Sequence, residues 1–448
     1  MINSKVIENP KKEINKLVLP IFITFIIGNL NSLVDMTFVG YMGTNALAAL
    51  GLLSPFFSLV NAFGSSIGVG INVLMSKAIG DNNNNKLANT IFNNGIFIAV
   101  IVGLIITLMV FIFNKEVLGI FGVTDSLYNY ASDYSILFVG SAIFLIQGVL
   151  VSVFNVELKS IYTTFTTILT IFLNIIFNSL AVYYFHIGIS GIAISTVLSS
   201  LFVVLISGVM LNFKDDWMVN YKINYSNISL NFIKELLNYG IPAFLESSVF
   251  KFEGIIFNYF LLVVGGSLAL AAYTGAWKFI TIGTMVTTAY GNALLPIASM
   301  FFGKKDINII KELYRYVLKN AVIIGIIMMI IFNLFGKYMA LLLTSDPILI
   351  NNISYVLGIL SIFFVFIPFN KIAGKILVTI GHPRISLYVS VLEVFVLQLL
   401  FTSLAIYFDL GVQGLYVSRI MSIFIIAIIS SNIAYKYIKN LKFDEISE

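Results

Sequence analysis

The chain has 448 residues, of which 59% are hydrophobic and 10% charged, with a mean hydropathy of +0.99. Soluble globular domains carry about 25% charged residues, so this composition excludes a soluble protein and makes the lipid bilayer its first partner. The absence of Cys excludes a disulfide framework, a thiolate nucleophile and cysteine–metal sites, and the net charge of +5 finds its explanation in membrane orientation, with no nucleic-acid partner expected.

In chain order, the basic and polar opening MINSKVIENPKKEINK lacks a cleavable small-residue site, and residues 1–13 read as a cytoplasmic tail. Apolar runs follow at 14–40, 46–76, 88–113, 128–154, 162–185 and 188–212. After a polar, charged loop at 213–229 come 230–262, 267–301, 313–335, 350–380, 386–408 and 411–437, and then a second tail at 438–448. A helical span needs about 20 apolar residues and a barrel strand only about 10, so the predicted fold class is an all-α polytopic membrane protein with twelve transmembrane helices. His186 and His382 sit in short loops without partners at metal-ligand spacing. No H-E-x-x-H, G-x-S-x-G or P-loop pattern is present, so neither a cofactor, a bound metal nor an enzymatic activity is expected.

Basic residues set the orientation. With the N-terminus inside, the inside segments carry Lys5, Lys11, Lys12, Lys16, Lys77, Lys86, Lys159, Lys214, Lys222, Lys304, Lys305, Lys311, Arg384, Lys436, Lys439 and Lys442. The outside segments carry only Lys115 and Lys337. The positive-inside rule then places both termini in the cytoplasm of a multi-pass plasma-membrane protein.

The chain also repeats itself. GTNALAALG at 43–51 resembles GSLALAAYT at 266–274, 223 residues later, and the same spacing pairs Gly68 with Gly291, Ser76 with Ser299 and Gly80 with Gly303. It returns where GISGIAIS at 188–195 meets GVQGLYVS at 411–418. This predicts two six-helix halves, 14–212 and 230–437, joined by the loop 213–229. An even number of spans gives both the same orientation, with an axis along the membrane normal and a cavity between them near the midplane. That architecture suits a rocking transporter.

Against this frame the intramembrane polar residues stand out. Asp35 interrupts a run that is otherwise uncharged from Leu17 to Val39, at a cost of roughly 3 kcal/mol on insertion scales, and no Lys or Arg lies within that run. It reads either as a carrier of H⁺ or Na⁺ or as a structural aspartate satisfied by Asn31 one turn earlier. Its counterpart in the second half is Asn258. That half instead holds Glu246, Lys251, Glu253, Lys278, Lys371, Lys375, Glu393 and Arg419. Glu246 and Glu253, seven residues apart, share a helix face. They are either neutralised by the lysines or draw a cationic substrate into the cavity. Pro20, fifteen residues before Asp35, and Pro242, its near counterpart, are either helix-start prolines or kink sites.

Several stretches resemble a family. LVDMTFVGYMGTNALAALG, IPAFLE opening the seventh span, and LNIIFN followed by GIAIST resemble the MATE (multidrug and toxic compound extrusion) transporters, in a DinF-like or MepA-like branch. The resemblance implies twelve helices in two pseudo-symmetric six-helix lobes forming a V. It implies export of lipophilic, mostly cationic small molecules in exchange for H⁺ or Na⁺, and a monomer. It places a coupling site at Asp35, Asn174 and Thr196, with Asn178 where many members have a second aspartate, which leaves Asp35 the only acid of the set. Oxygen ligands of this kind also suit Na⁺. Glu246 matches a glutamate common in the family and Glu253 does not, while Pro20 matches a proline linked to bending of the first helix. A flippase of a lipid-linked saccharide would share the fold but needs cations lining its cavity, for which Lys251, Lys278, Lys371 and Arg419 are available. A passive channel fits the asymmetric repeat less well.

Overall fold

The computed structural model describes residues 8–81, 84–120, 123, 125–213 and 216–441. Lys5, Lys214, Lys442 and the tail residues 1–7 and 442–448 lie outside the described residues. Most of what is described is helical, and the apolar runs become helices for a plain reason. In hydrocarbon every backbone N–H and C=O needs a partner within its own segment.

The first six helices are α1 (Pro10–Gly40), α2 (Thr44–Gly80), α3 (Asn85–Ile112), α4 (Leu127–Val156), α5 (Ser160–Tyr184) and α6 (Ile189–Phe213). A 74-residue helical run, Leu230–Gly303, breaks at Gly266, where φ is 68° and ψ −171°, giving α7 (230–265) and α8 (267–303). Then come α9 (Ile307–Leu341), α10 (Pro347–Leu360 and Phe363–Thr379, bent by 48° at the break), α11 (Pro383–Tyr407) and α12 (Gly411–Lys439). With the long run counted as two and the bent pair as one, the described residues contain the twelve expected spans. Side-chain caps start several of them: Asn84 accepts from Leu87 N at 3.0 Å, Asp306 from Ile309 N at 3.1 Å, and Asp346 from Ile348 N at 2.9 Å with Pro347 in the first turn.

The 223-residue repeat is visible in the backbone. Residues of positive φ fall in pairs at that spacing: Gly43 with Gly266, Leu158 with Gly381, His186 with Asp409, Gly188 with Gly411. Only Lys305 stands apart, and its counterpart, residue 82, lies outside the described residues. The 3₁₀ stretch Ser135–Gly140 inside α4 likewise corresponds to the break in α10. An L-residue in the left-handed region costs roughly 1–2 kcal/mol, so a shared set of such positions marks a shared chain path and not a chance likeness.

The described chain packs into two compact units. One runs from Leu19 to Phe244, and the other comprises Glu8–Val18 and the chain from Leu245 onward. In the second unit the start of α1 is tied to α9 by Lys11 to Glu312 (2.5 Å) and by Asn15 Nδ2 to the Tyr316 hydroxyl (2.7 Å). In the first unit α2 and α4 approach closely, because Gly148 faces Gly64 with no room for a Cβ and Gly68 faces Ser152.

The loop after α6 also belongs to the first unit, held down from Met218 to Ser229. Asn89, Asn93 and Asn94 of α3 pair with its backbone as a neighbouring strand would. Asn89 and Lys222 exchange two bonds of 3.0 Å, Asn93 bonds Lys222 O and Asn224 N (both 2.9 Å), and Asn94 bonds Asn227 O (3.0 Å) and Ser229 N (2.9 Å). Glu157, just beyond α4, accepts from Met218 N (2.5 Å), Val219 N (3.1 Å) and the Tyr221 hydroxyl (2.6 Å). Burial pushes the Glu157 carboxyl above its ordinary range against the pull of these donors, and burial beside Glu157 raises Tyr221.

Candidate functional site

α5 is an inside-out helix. From Ser160 to Ser179 every buried residue is polar: Ser160, Thr163, Thr164, Thr166, Thr170, Asn174 and Asn178. Ile161, Phe165, Ile168, Phe172 and Ile175 face outward. Water would turn such a helix around. In lipid the apolar side chains lose nothing by exposure, and the polar ones gain hydrogen bonds by turning to one another.

That polar stripe brings the predicted residues together. Asn178 Nδ2 donates to Asp35 Oδ1 at 3.0 Å and to Asn174 Oδ1 at 3.0 Å, and Asn174 Nδ2 donates to Thr196 Oγ1 at 3.2 Å. The Thr196 hydroxyl lies 3.4 Å from Asp35 Oδ2 and 3.1 Å from the Ile192 carbonyl. Asp35 is 7% exposed, and Asn174 and Asn178 are fully buried. The spacing of Asn174 and Asn178, one helical turn, puts both on the face that meets α1 and α6.

Two features of this cluster bear on chemistry. Among the described residues no cation pairs with Asp35, so its charge is met only by neutral donors. Asn178 Oδ1 is buried without a donor, an acceptor aimed at nothing in the protein. A carboxylate, two amide oxygens and a hydroxyl together form an all-oxygen donor set of the kind that takes a hard cation. The alternative partner, Asn31, makes no bond to Asp35 among the described residues: the donors come from α5 and α6, and Asn31 Oδ1 is itself unpartnered. Sequence reasoning missed Tyr134 of α4, whose buried phenol lies within electrostatic reach of Asp35. A lone tyrosine in an apolar span gives no signal that could have found it.

Pro20 lies inside an unbroken α1, its carbonyl oxygen taking hydroxyl bonds from Thr24 (2.9 Å) and from Thr164 of α5 (2.8 Å). The remaining candidates, Glu246 and Glu253, belong to the second unit and have partners of their own. Glu246 Oε2 accepts from Ser386 Oγ at 3.0 Å, and Glu253 Oε2 accepts from Arg419 Nη2 at 2.8 Å.

The MatE family model matches residues 20–180 and 242–404, once in each repeat. The multidrug export protein MepA of Staphylococcus haemolyticus (strain JCSC1435) is 21% identical over 343 residues, 76% of this chain and 75% of its own. MepA of Staphylococcus aureus (strain MRSA252) is 23% identical over 344 residues, with the same coverage. Among solved structures, a MATE protein in a bent conformation superposes with a TM-score of 0.90, and an outward-facing multidrug resistance MATE family transporter with 0.89. Each is 23% identical and covers 96% of both chains.

Proposed function

The chain belongs to the MatE family of membrane transporters, and from that premise we propose that it is a secondary antiporter, not an enzyme, exporting lipophilic, cationic small molecules in exchange for H⁺ or Na⁺. The observation that carries the reading is Asp35: a buried carboxylate with neutral donors only, beside an unpartnered amide oxygen. Such an acid has its charge met by something that arrives and leaves. A proton takes the free lone pairs of the carboxylate. Na⁺ sits among Asp35, Asn174, Asn178 and Thr196 oxygens.

In the cycle we infer, the two repeats, 14–212 and 230–437, act as the lobes of an alternating-access machine in the plasma membrane. Both termini are cytoplasmic, a placement supported by the lysine distribution. Ion uptake from outside favours substrate release, and ion loss to the cytoplasm restores substrate binding. This requires the ion to bind the two conformations unequally, since equal binding would shift nothing. Pro20, which lacks an N–H to bond the preceding turn, is the place where α1 gives when Asp35 changes its charge state. Glu246, half-buried and accepting from a serine hydroxyl where Glu253 is held by a guanidinium, is the better of the two substrate-attracting candidates. The flippase alternative has less support, because Arg419, one of the cations it needs, is paired with Glu253.

The test is efflux of ethidium from proteoliposomes under separately imposed pH and Na⁺ gradients, with Asp35→Asn beside wild type. Efflux driven by one gradient and lost in the variant is expected and names the ion. Full gradient-driven efflux by Asp35→Asn would remove Asp35 from the mechanism.

A further inference from the structure

The second unit holds its own buried charges, and most of them are committed. Arg419 bonds Glu253, and its guanidinium lies 4.2 Å from the ring centre of Trp277 and 4.9 Å from that of Phe257, with Tyr273 and Phe363 each at 5.8 Å. Four ring faces and a buried carboxylate fix that cation in place. Glu246 bonds Ser386 and faces Lys375.

Glu393 is different. It is 8% exposed, and its hydrogen bond comes from a neutral donor, Asn370 Nδ2 to Oε2 at 2.5 Å. Among the described residues no cation lies within ion-pairing distance of it. The charged groups that face it are Lys371 of α10, Glu246 and Glu253 of α7, and Arg419 of α12. Arg419 is held by Glu253, and the Lys371 ammonium sits 4.1 Å from the ring centre of Phe250. Glu393 also lies in the π-helical stretch Leu392–Gln398 of α11, an irregularity found frequently at functional sites.

The repeat supplies the control. At a spacing of 223, Asn370 and Glu393 correspond to Gln147 and Thr170, and there Gln147 Nε2 donates to Thr170 Oγ1 at 3.3 Å. The same amide-to-acceptor link joins the fourth and fifth helices of each repeat, so a hydroxyl is enough to hold the frame. A carboxylate in its place costs roughly 3 kcal/mol on insertion scales and adds no bond the hydroxyl cannot make. We propose that Glu393, with Asn370 as its fixed donor, is a second proton-binding site. Oε1 takes H⁺ from water and returns it, while Asn370 holds Oε2. The proposal deepens the antiport reading by adding a second ion-handling acid, and rests on it only for the consequence in transport.

The test is pH-difference infrared spectroscopy of the full-length protein in lipid nanodiscs, following the C=O stretch of protonated carboxyl groups. Wild type is compared with Asp35→Asn, Glu393→Gln and Asn370→Leu. We expect one titrating component to vanish in Glu393→Gln, to survive in Asp35→Asn, and to change frequency in Asn370→Leu as its donor is lost. A spectrum unchanged by Glu393→Gln overturns the second site and leaves the antiport reading standing, since that reading is judged by efflux. Glu393→Thr, which installs the residue of the first repeat, serves the same comparison should the glutamine variant not fold, and an unchanged spectrum there is equally fatal.

Discussion

Positions 223 residues apart carry an acid and an amide in Asp35 and Asn258, a hydroxyl and a guanidinium in Thr196 and Arg419, and amides against apolar groups in Asn174 and Asn178 versus Leu397 and Phe401. In the first repeat the carboxylate is surrounded by neutral donors, and no counter-charge pairs with it among the described residues. In the second a cation is built into the chain at the position of Thr196, caged by aromatic rings and answered by Glu253. The same frame therefore holds, among the described residues, one carboxylate with no cation beside it and one cation with its own carboxylate. What separates them is whether the counter-charge is covalently attached.

The largest effect we expect comes from trying to exchange the two. Asp35→Asn combined with Asn258→Asp moves the acid to the matching place in the second repeat. Its neighbours there would be Arg419, Phe401 and Leu397, so coupled efflux stays lost, by a factor within the 5–150-fold range of ordinary coupling energies. Restored efflux would break the comparison. Next comes Glu253→Ala, which strands a buried guanidinium and costs about 3–5 kcal/mol, read as a lowered unfolding temperature. Glu253→Leu with Arg419→Met removes both charges and should recover most of that loss. If it does not, the pair is more than a self-contained counter-ion.

A smaller effect is expected at the loop after α6. Glu157→Ala leaves three donors without an acceptor and should loosen residues 216–229 by about 2–3 kcal/mol, seen as faster amide exchange at Met218 and Val219. The pH dependence follows from the raised carboxyl of Glu157. Its contribution is fully present below the ordinary glutamate value and declines as pH rises through the higher folded one, because the folded state binds the proton more tightly. Exchange at Met218, corrected for intrinsic rate, should therefore accelerate with pH across that window, and the trend should flatten in Glu157→Gln. The smallest effect is that of Thr164→Val, which removes one of two hydroxyls from the Pro20 carbonyl and should cost about 1 kcal/mol of thermal stability.

Much of this was legible in the sequence. The twelve runs, the 223-residue repeat and the Asp35, Asn174, Asn178 and Thr196 set all appear there. The runs and the repeat rest on local spacing, and Asp35 on the cost of an acid in hydrocarbon, which a linear reading can register, whereas Asn174, Asn178 and Thr196 were added by the resemblance to the MATE transporters. The Asn370–Glu393 link was not legible, because the residues differ from their counterparts Gln147 and Thr170 and only the fold shows the link to be conserved between repeats. Nor was the anchoring of the 213–229 loop. The asparagines of α3 that hold it, at 89, 93 and 94, read as ordinary polar residues at a helix start until the backbone they pair with is brought beside them.

Those anchors have a mechanical consequence. The polar loop that looks like the tether between repeats is fastened to the first unit, so the joints lie elsewhere. The described chain passes from one unit to the other at 18/19 and at 244/245, in both cases within a helix. Pro20 is the second residue past the first crossing and Pro242 the third before the second. A helix without a proline is a stiff rod. One missing its N–H at the crossing has a soft point at a fixed place, where rotation costs little and direction is kept. Each connection is then less like slack string than like a leaf spring, soft at one fixed place along its length.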